Sequence, residues 1–149
     1  MKKAELELKL RGVVEEDSFL LFKWANSSDV RKNAIDPQRI EWKKHQVWFR
    51  EKNSSPYSKI YILENKNLPI GQVRYDRKEQ GFWYIDFFIE QKFRGLGLGK
   101  KIIGLSRSTI SGPVKALVKK ENLASHIVFQ KLGFVKTRSE KGIVEYLHK

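Results

Sequence analysis

The residues best suited to chemistry form a glycine-rich turn, Arg94-Gly95-Leu96-Gly97-Leu98-Gly99, between a strand-like and a helix-like segment. Backbone amides at the start of a helix bind anions, and glycine lets a phosphate come close to the backbone. Lys100 or Ile102 stands where a dinucleotide fingerprint needs its third glycine, and Lys101 stands where a P-loop needs serine or threonine. The turn therefore predicts phosphate binding of another class. A tight turn that needs glycine for geometry alone is the competing interpretation.

Candidate acid–base groups lie on the strand-like segment just before this turn. Alternation along residues 82–90 places Asp86, Phe88 and Glu90 on one face. A carboxylate in so apolar a strand would be costly to bury without a partner, and such surroundings make Asp86 a candidate general base. An ordinary ion pair is the competing interpretation, and Glu90 and His45 are further candidates for the base.

The elements that must position these groups follow from the hydrophobic periodicity. Strands are expected over residues 4–11, 59–64, 70–75, 82–89, 114–118, 134–137 and 143–147. Helices are expected over residues 15–24, 41–52, 98–109 and 122–132, with a loop over 26–38 and Gly133 as a C-terminal cap. This order predicts an α/β (α+β) protein with a mixed, mostly antiparallel sheet of six or seven strands.

Composition narrows the class of protein. The 149 residues fit a single domain, and we expect one over residues 1–149. The absence of cysteine excludes disulfides, thiolate nucleophiles and cysteine-ligated zinc, and it suits a cytoplasmic location. No stretch resembles a signal peptide or a membrane span, so no membrane partner is expected. The net charge of +13 attracts phosphorylated ligands, although most individual lysines are expected to be solvated surface.

Two segments together resemble the GNAT family of N-acetyltransferases. Residues 91–99, Gln-Lys-Phe-Arg-Gly-Leu-Gly-Leu-Gly, are similar to its acetyl-CoA signature R-x-x-G-x-G. Residues 122–134 are similar to its later helix, N-x-x-A/S-x-x-x-Y/F-x-K-x-G-F. The resemblance implies acetyl-CoA as co-substrate, no metal, and a sheet that has helices on both faces and a V-shaped splay between its fourth and fifth strands.

The same resemblance implies roles for individual residues. Backbone groups of Phe87, Phe88 and Ile89 are expected to meet pantetheine in the splay, a role that is also compatible with a plain core strand. Asn122 and Phe129 are expected beside the cofactor arm. The expected pyrophosphate contacts are Arg94, Gly95, Leu96, Gly97, Leu98, Gly99 and Lys100.

Acetyl transfer to an amine needs a neutral nitrogen, an oriented thioester and a donor to the developing oxyanion. A chain without cysteine favours direct attack, with the backbone amide near Ile89 as the donor. Phe129 stands where many relatives have the tyrosine that protonates the leaving thiolate, so water is the expected proton source. Ser125, one turn earlier, is expected to position that water, and a capping role is its competing interpretation. His126 is expected on the surface.

The acceptor region carries a second resemblance. Its patterns W-x-N-x-x-x-V-R, from residue 24, and W-x-x-H-x-x-W-F, from residue 42, are similar to N-acetyltransferases of nucleotide-linked amino sugars in the pseudaminic and legionaminic acid pathways. The expected acceptor contacts are Trp24, Asn26, Arg31, His45 and Trp48. Helix core is the competing interpretation for the aromatic residues, and we expect it for at least two of Trp24, Trp42, Trp48 and Phe49.

Two other functions stay open at this point. A protein N-terminal acetyltransferase of the ribosomal-protein type shares the expected fold, although this acceptor loop is basic rather than acidic. A non-catalytic module that binds CoA or nucleic acid is the third interpretation, kept open by Phe129. The expected partner is a small nucleotide-sugar acceptor rather than nucleic acid, and a homodimer is compatible with the sequence.

Overall fold

The computed structural model describes residues 5–79 and 81–149. Short 3-10 turns at Glu15–Asp17, Gln91–Phe93 and Arg107–Thr109 adjoin the helices. The strands are β1 (Leu8–Gly12), β2 (Ser58–Asn65), β3 (Leu68–Glu79), β4 (Phe82–Ile89), β5 (Val114–Lys119), β6 (Val135–Glu140) and β7 (Ile143–His148). The helices are α1 (Ser18–Ala25), α2 (Ser28–Asn33), α3 (Trp42–Ser54), α4 (Leu98–Ser106) and α5 (Leu123–Lys131). No helix within the described residues is long and apolar enough to cross a membrane.

The strands form one seven-stranded sheet in the order β1-β2-β3-β4-β5-β7-β6. Neighbouring strands are antiparallel except β4 and β5, which are parallel. Those two strands pair only where they begin, at Trp83 with Val114 and Tyr84 with Lys115. Because β4 continues to Ile89 without pairing to β5, the two strands open into the expected splay. The predicted fold class is confirmed.

Side-chain alternation along β4 assigns the helices to two faces. Trp83, Ile85 and Ile89 belong to the larger buried cluster, together with residues of α4 and α5. Phe88 packs instead against the smaller cluster, which contains Leu21 of α1 and Phe49 of α3. Burial of each such apolar side chain stabilises the fold by about 1.5–3 kcal/mol. The sheet is thus covered by helices on both faces, α4 and α5 on one and α1 and α3 on the other.

The local boundaries agree with the sequence pattern in most places, although β3 continues to Glu79 and β6 to Glu140, beyond their predicted ends at residues 75 and 137. Gly133, with φ of +87°, ends α5 in the left-handed conformation expected of a helix cap. The segment predicted as a loop contains α2. Its Asp29 in the first turn and Lys32 in the last stabilise the helix by interacting favourably with its dipole. The first predicted strand began at residue 4, which lies outside the described residues, and the observed β1 begins at Leu8.

Candidate functional site

A groove of about 790 Å³ occupies the opening between β4 and β5. It is lined by the glycine turn and the start of α4, by α2, and by residues of β3, β4, β5 and α5. We call the part at the glycine turn and α4 the cofactor half, and the part lined by α2 and by side chains of β3, β4 and β5 the acceptor half.

The backbone of β4 presents alternate amides to this groove. Trp83 N–H donates to Pro113 O across the β5 side at 3.0 Å, and Glu90 N–H donates to Ile70 O across the β3 side at 2.8 Å. Because amides alternate along a strand, those of Phe87 and Ile89 face the groove. The Phe88 backbone faces β3, where it is paired with Gln72. Two of the three expected backbone positions, Phe87 and Ile89, therefore face the opening, and Phe88 does not.

The glycine turn satisfies two different requirements. Gly95 and Gly97 have φ of +78° and +76°, a left-handed conformation that other residues adopt only with strain. A Cβ at either would meet no atom within 4 Å, so open space lies in front of the backbone there. A Cβ at Gly99 would instead lie 2.9 Å from the Phe87 ring. The first two glycines set the turn, and the third permits close packing of α4 on β4.

The start of α4 can bind an anion. Gly97 is the N-cap of this nine-residue helix, and no side chain caps its first turn. The N–H groups of Leu98, Gly99 and Lys100 therefore have no acceptor within the helix and are available to an anion. Lys100 is exposed and lines the groove beside them, whereas Leu98 is buried in the core. Leu96 packs partly against the same core.

The Arg94 side chain has partners outside the turn. Its Nε donates to Ile89 O at 2.8 Å, its Nη1 pairs with Asp29 of α2, and its guanidinium lies 5.4 Å from the centre of the Phe88 ring. Burial alone would raise the pKa of Asp29, but hydrogen bonds from Arg94 and Ser27 outweigh burial and hold that pKa below its ordinary value. Arg94 therefore links β4, the turn and α2.

Helix α5 forms a side of the groove with a polar end and an apolar middle. Asn122 is the N-cap, and its Oδ1 accepts the Ser125 N–H at 3.4 Å. Ser125 itself lines the groove. Phe129 is 3% exposed, with its ring edge-on to Phe87 at 5.7 Å between centres. The phenylalanine that replaces the expected tyrosine is thus part of the core as well as of the groove wall.

His126, which was expected on the surface, is half-buried and has two hydrogen-bond partners. Its Nδ1 lies 2.6 Å from Tyr146 Oη, and its Nε2 lies 3.0 Å from Lys119 O. Since a carbonyl only accepts, Nε2 carries the proton and Nδ1 accepts from the tyrosine. Both nitrogens are engaged in attaching α5 to the sheet, and the residue does not line the groove.

Asp86 lies in the acceptor half but not in the environment that we expected. Its side chain is 61% exposed, so it does not have the apolar surroundings that the strand pattern suggested. Among the described contacts its ion-pair partner is Arg74, whose Nη2 is 3.7 Å from Asp86 Oδ2 across the β3–β4 pair. Glu90, by contrast, accepts a hydrogen bond from Trp24 Nε1 at 3.0 Å. Asp86 is therefore the more available carboxylate for an incoming amine.

Three of the expected acceptor contacts serve the fold instead. Trp24 is 7% exposed and packs on Phe88. The two amide atoms of Asn26 bind the backbone N–H and C=O of Ile40, each at 2.8 Å. His45 is 3% exposed, with Nε2 2.8 Å from Ser18 O, and burial lowers its pKa. The prediction that these side chains face the acceptor is wrong, because each already has its partners.

The other two expected contacts lie at or near the groove. Arg31 lines it, while its guanidinium donates to the carbonyls of Ala25 and Gln38 at 2.7 and 2.8 Å. Trp48 is partly buried, with Arg74 stacked 5.1 Å from its ring centre. The expectation that at least two of the four aromatic residues form helix core is confirmed by Trp24 and Phe49.

Sequence reasoning missed Arg74 and the buried carboxylate that holds it. Asp76 accepts from Lys52 Nζ at 2.9 Å, Ser58 Oγ at 2.7 Å and Arg74 Nε at 2.8 Å. Burial alone would raise the pKa of Asp76, but these partners outweigh burial and keep it below its ordinary value. The sequence does show a basic residue, Arg74, within the predicted strand 70–75. Its position opposite Asp86, however, depends on the register between β3 and β4.

The acceptor half is lined by both basic and acidic side chains. Its basic lining residues are Arg31, Arg74, Lys78 and Lys119. Of the carboxylates that line it, Asp29 and Asp76 are already ion-paired, and Asp86 is loosely held. No group of histidine, aspartate or glutamate side chains that could hold a metal occurs within the described ranges, 5–79 and 81–149.

Comparison with known proteins gives the same fold and a family. The model of the acetyltransferase (GNAT) domain family matches residues 7–135. No curated protein sequence matches this chain significantly. Among solved structures, spermidine N-acetyltransferase from Vibrio cholerae, in complex with CoA and spermine, is 14% identical, with a TM-score of 0.81 over 95% of this chain and 94% of that chain.

Two further structures are similar at the level of fold. Campylobacter jejuni N-acetyltransferase PseH is 15% identical, with a TM-score of 0.71 over 95% of this chain and 97% of that chain. RimL, a ribosomal L7/L12 alpha-N-protein acetyltransferase in complex with CoA, is 16% identical, with a TM-score of 0.74 over 95% and 93%.

Proposed function

This chain belongs to the GNAT acetyltransferase family, and we propose that it transfers the acetyl group of acetyl-CoA to the amino group of a nucleotide-linked amino sugar. That it is an acetyl-CoA-dependent N-acetyltransferase follows from the family. The proposal for the acceptor depends on one observation, the basic lining of the acceptor half around a single loosely paired carboxylate.

The described residues fit the co-substrate. The pyrophosphate would be held by the amides from Gly95 to Lys100, where the open space at Gly95 and Gly97 lets phosphate oxygens approach. The Phe87 amide would bind pantetheine, whose own amide groups can pair with a strand, and the Ile89 amide would stay available for the acetyl end of the same molecule. Asn122 and Phe129 would contact the same arm from α5.

The thioester then lies where the two halves meet. An acceptor amine that enters from the side of Asp86 can attack the acetyl carbonyl directly, and the described residues offer no cysteine to carry an acyl group. Negative charge develops on the acetyl oxygen during attack, and the Ile89 N–H is the proposed donor to it. Arg94 binds the Ile89 carbonyl and so fixes the peptide group next to that donor.

Protons are moved by exposed groups. Asp86 is the proposed base, because its side chain lines the groove and is mostly exposed. Among the described contacts its ion-pair partner is Arg74, at 3.7 Å. Glu90 is less available, since Trp24 occupies one of its oxygens. The thiolate can leave as an anion because a thiol has a pKa of about 8.5. Water positioned by Ser125 would then protonate it.

The basic side chains of the acceptor half favour a diphosphate. Arg74 offers a guanidinium that Asp76 and Trp48 hold in place, and such a preorganised fork suits phosphate oxygens. Lys78 and Lys119 add charge on the two arms of the splay. A cationic acceptor such as a polyamine would meet only Asp86 as a loosely held anion in this half.

The test is thiol release from acetyl-CoA with matched acceptors. We expect kcat/KM for a UDP-linked amino sugar to exceed that for the same sugar without nucleotide by about 100-fold, and to fall as salt is added. Turnover of an N-terminal peptide or of spermidine, with none of any sugar nucleotide, would overturn the acceptor assignment while leaving the acetyltransferase intact.

A further inference from the structure

One guanidinium group joins the two halves of the groove. Arg94 belongs to the cofactor turn, binds Ile89 O at the end of β4, and pairs with Asp29 in the first turn of α2. We propose that Asp29 is a positioning residue: through Arg94 it fixes the acceptor wall formed by α2 relative to the bound cofactor. The proposal rests on the acetyl-transfer site described above and adds to it a residue that acts through another.

Helix α2 depends on polar contacts for its position. None of its six residues is buried. The bonds of Arg31 run to carbonyls of the same segment, so they shape that segment without attaching it to the sheet. Among the described contacts, two attach α2 to the rest of the groove wall: Asp29 with Arg94 on the β4 side, and Lys119 Nζ with Lys32 O at 3.1 Å on the β5 side. The acceptor wall is therefore attached to both arms of the splay.

The exposure of this pair argues for positioning rather than for stability. Both side chains are 40% exposed, and ion pairs of that kind contribute little to the free energy of unfolding. Arg94 also adjoins the turn where the pyrophosphate is placed, and one guanidinium has enough donors for two anions. The cofactor and Asp29 then share Arg94.

Sharing has a consequence that a purely structural contact lacks. Neutralising Asp29 removes the competing anion from the Nη atoms of Arg94, while Nε stays on Ile89 O, so cofactor affinity is kept or increased. The same change releases α2, so acceptor affinity falls. A residue that merely supported the fold would weaken both.

The kinetic test is Asp29→Asn, with Asp29→Glu as the conservative variant. For Asp29→Asn we expect the KM of a UDP-linked amino sugar to rise by about 10-fold, with kcat within about 2-fold. The Kd of CoA, measured by calorimetry, should be unchanged or lower. Asp29→Glu should restore most of the KM. An unchanged acceptor KM, or a CoA Kd that rises in parallel with it, would overturn the proposal.

The matched control is Glu140→Gln, which breaks the exposed Arg138–Glu140 pair on β6, away from the groove. A second measurement does not depend on the acceptor: amide hydrogen exchange of residues 28–33 in the CoA-bound protein. Asp29→Asn should speed this exchange and Glu140→Gln should not. If the wild type used no sugar nucleotide, the acceptor assignment would fail, whereas faster exchange would still support the link. Unchanged exchange would overturn it.

Discussion

The cofactor half and the acceptor half of the groove are built in different ways. The cofactor half is mostly backbone: a turn of positive-φ glycines, the start of α4, and the amides of Phe87 and Ile89. The acceptor half is mostly side chains, contributed by α2, β3, β4 and β5. A backbone site needs only the right local conformation, whereas a side-chain site depends on which atoms the fold has already used. Single substitutions should therefore affect one half and spare the other.

The largest effect should come from Gly97→Val. A β-branched residue at φ of +76° is strained by about 1–2 kcal/mol, and its side chain fills the space in front of the helix amides. We expect CoA affinity, measured by calorimetry, to fall by about 100-fold.

The control lies within the same helix. A Cβ at Gly104 meets no atom within 4 Å, so Gly104→Ala should stabilise α4 by about 0.5–1 kcal/mol and leave CoA affinity unchanged. Wild-type CoA binding by Gly97→Val would mean that the cofactor half is not at this turn.

In the acceptor half, Asp86→Asn should lower kcat by about 100-fold, because it removes the exposed base without changing the shape of the groove. The Kd of CoA should stay within about 2-fold of wild type, since no cofactor contact is lost. Glu90→Gln keeps an oxygen that can accept from Trp24 Nε1, and it should lower kcat far less than Asp86→Asn in steady-state assays. Equal losses for both variants would contradict the assignment of the base.

His45→Asn separates the fold from the acceptor site. Loss of the bond to Ser18 and of ring contacts with Phe22 and Phe49 should lower the free energy of unfolding in urea by about 2 kcal/mol. The acceptor KM should stay within about 2-fold, because the ring does not reach the groove. A large rise in KM with unchanged stability would restore the role expected from the sequence.

The same variant has a pH signature. Burial depresses the pKa of folded His45, so the unfolded chain binds the extra proton first as pH falls. Its stabilising contribution is complete above the ordinary pKa of about 6.5 and is lost as pH falls toward the lower folded value. Between pH 7.5 and 5.5, wild type should therefore lose more stability than His45→Asn. His148, whose pKa burial also lowers, affects both proteins alike.

The smallest effect should come from Phe129→Tyr. The ring is packed among Phe87, Phe134 and Tyr146, and a thiolate can leave without an acid. We expect kcat for thiol release to change by less than about 3-fold at pH 7. A 10-fold increase would show that the absent hydroxyl limits the reaction. Phe129→Leu, by contrast, should act on stability, with a loss of about 1–2 kcal/mol.

Prediction from sequence succeeded where the signal was local. Residues 82–89 were predicted as a strand and form β4, because period-2 alternation and the flanking turn residues lie within one segment. It failed at the region of residues 26–38, where a six-residue helix depends on charges at its ends and on contacts such as Asp29 with Arg94. Arg74 was overlooked because its position opposite Asp86 depends on register between two strands.

The acceptor residues show why side-chain roles are harder to predict. Trp24, Asn26 and His45 have the types and spacing of a sugar site, yet their polar atoms bind Glu90, Ile40 and Ser18. Whether a buried polar group is spare or already satisfied depends on atoms that are distant in the sequence.

The sequence by itself determined the glycine turn, the helix after Asn122, the order of the elements other than α2, and the family that these features indicate. Each depends on backbone preferences and periodicity within about twenty residues. Only the tertiary structure decided that β4 and β5 part after Tyr84, that Asp86 is open to the groove while Glu90 is engaged, and that Arg94 reaches Asp29. Those features depend on register and on competition for partners, and neither is encoded in any single segment.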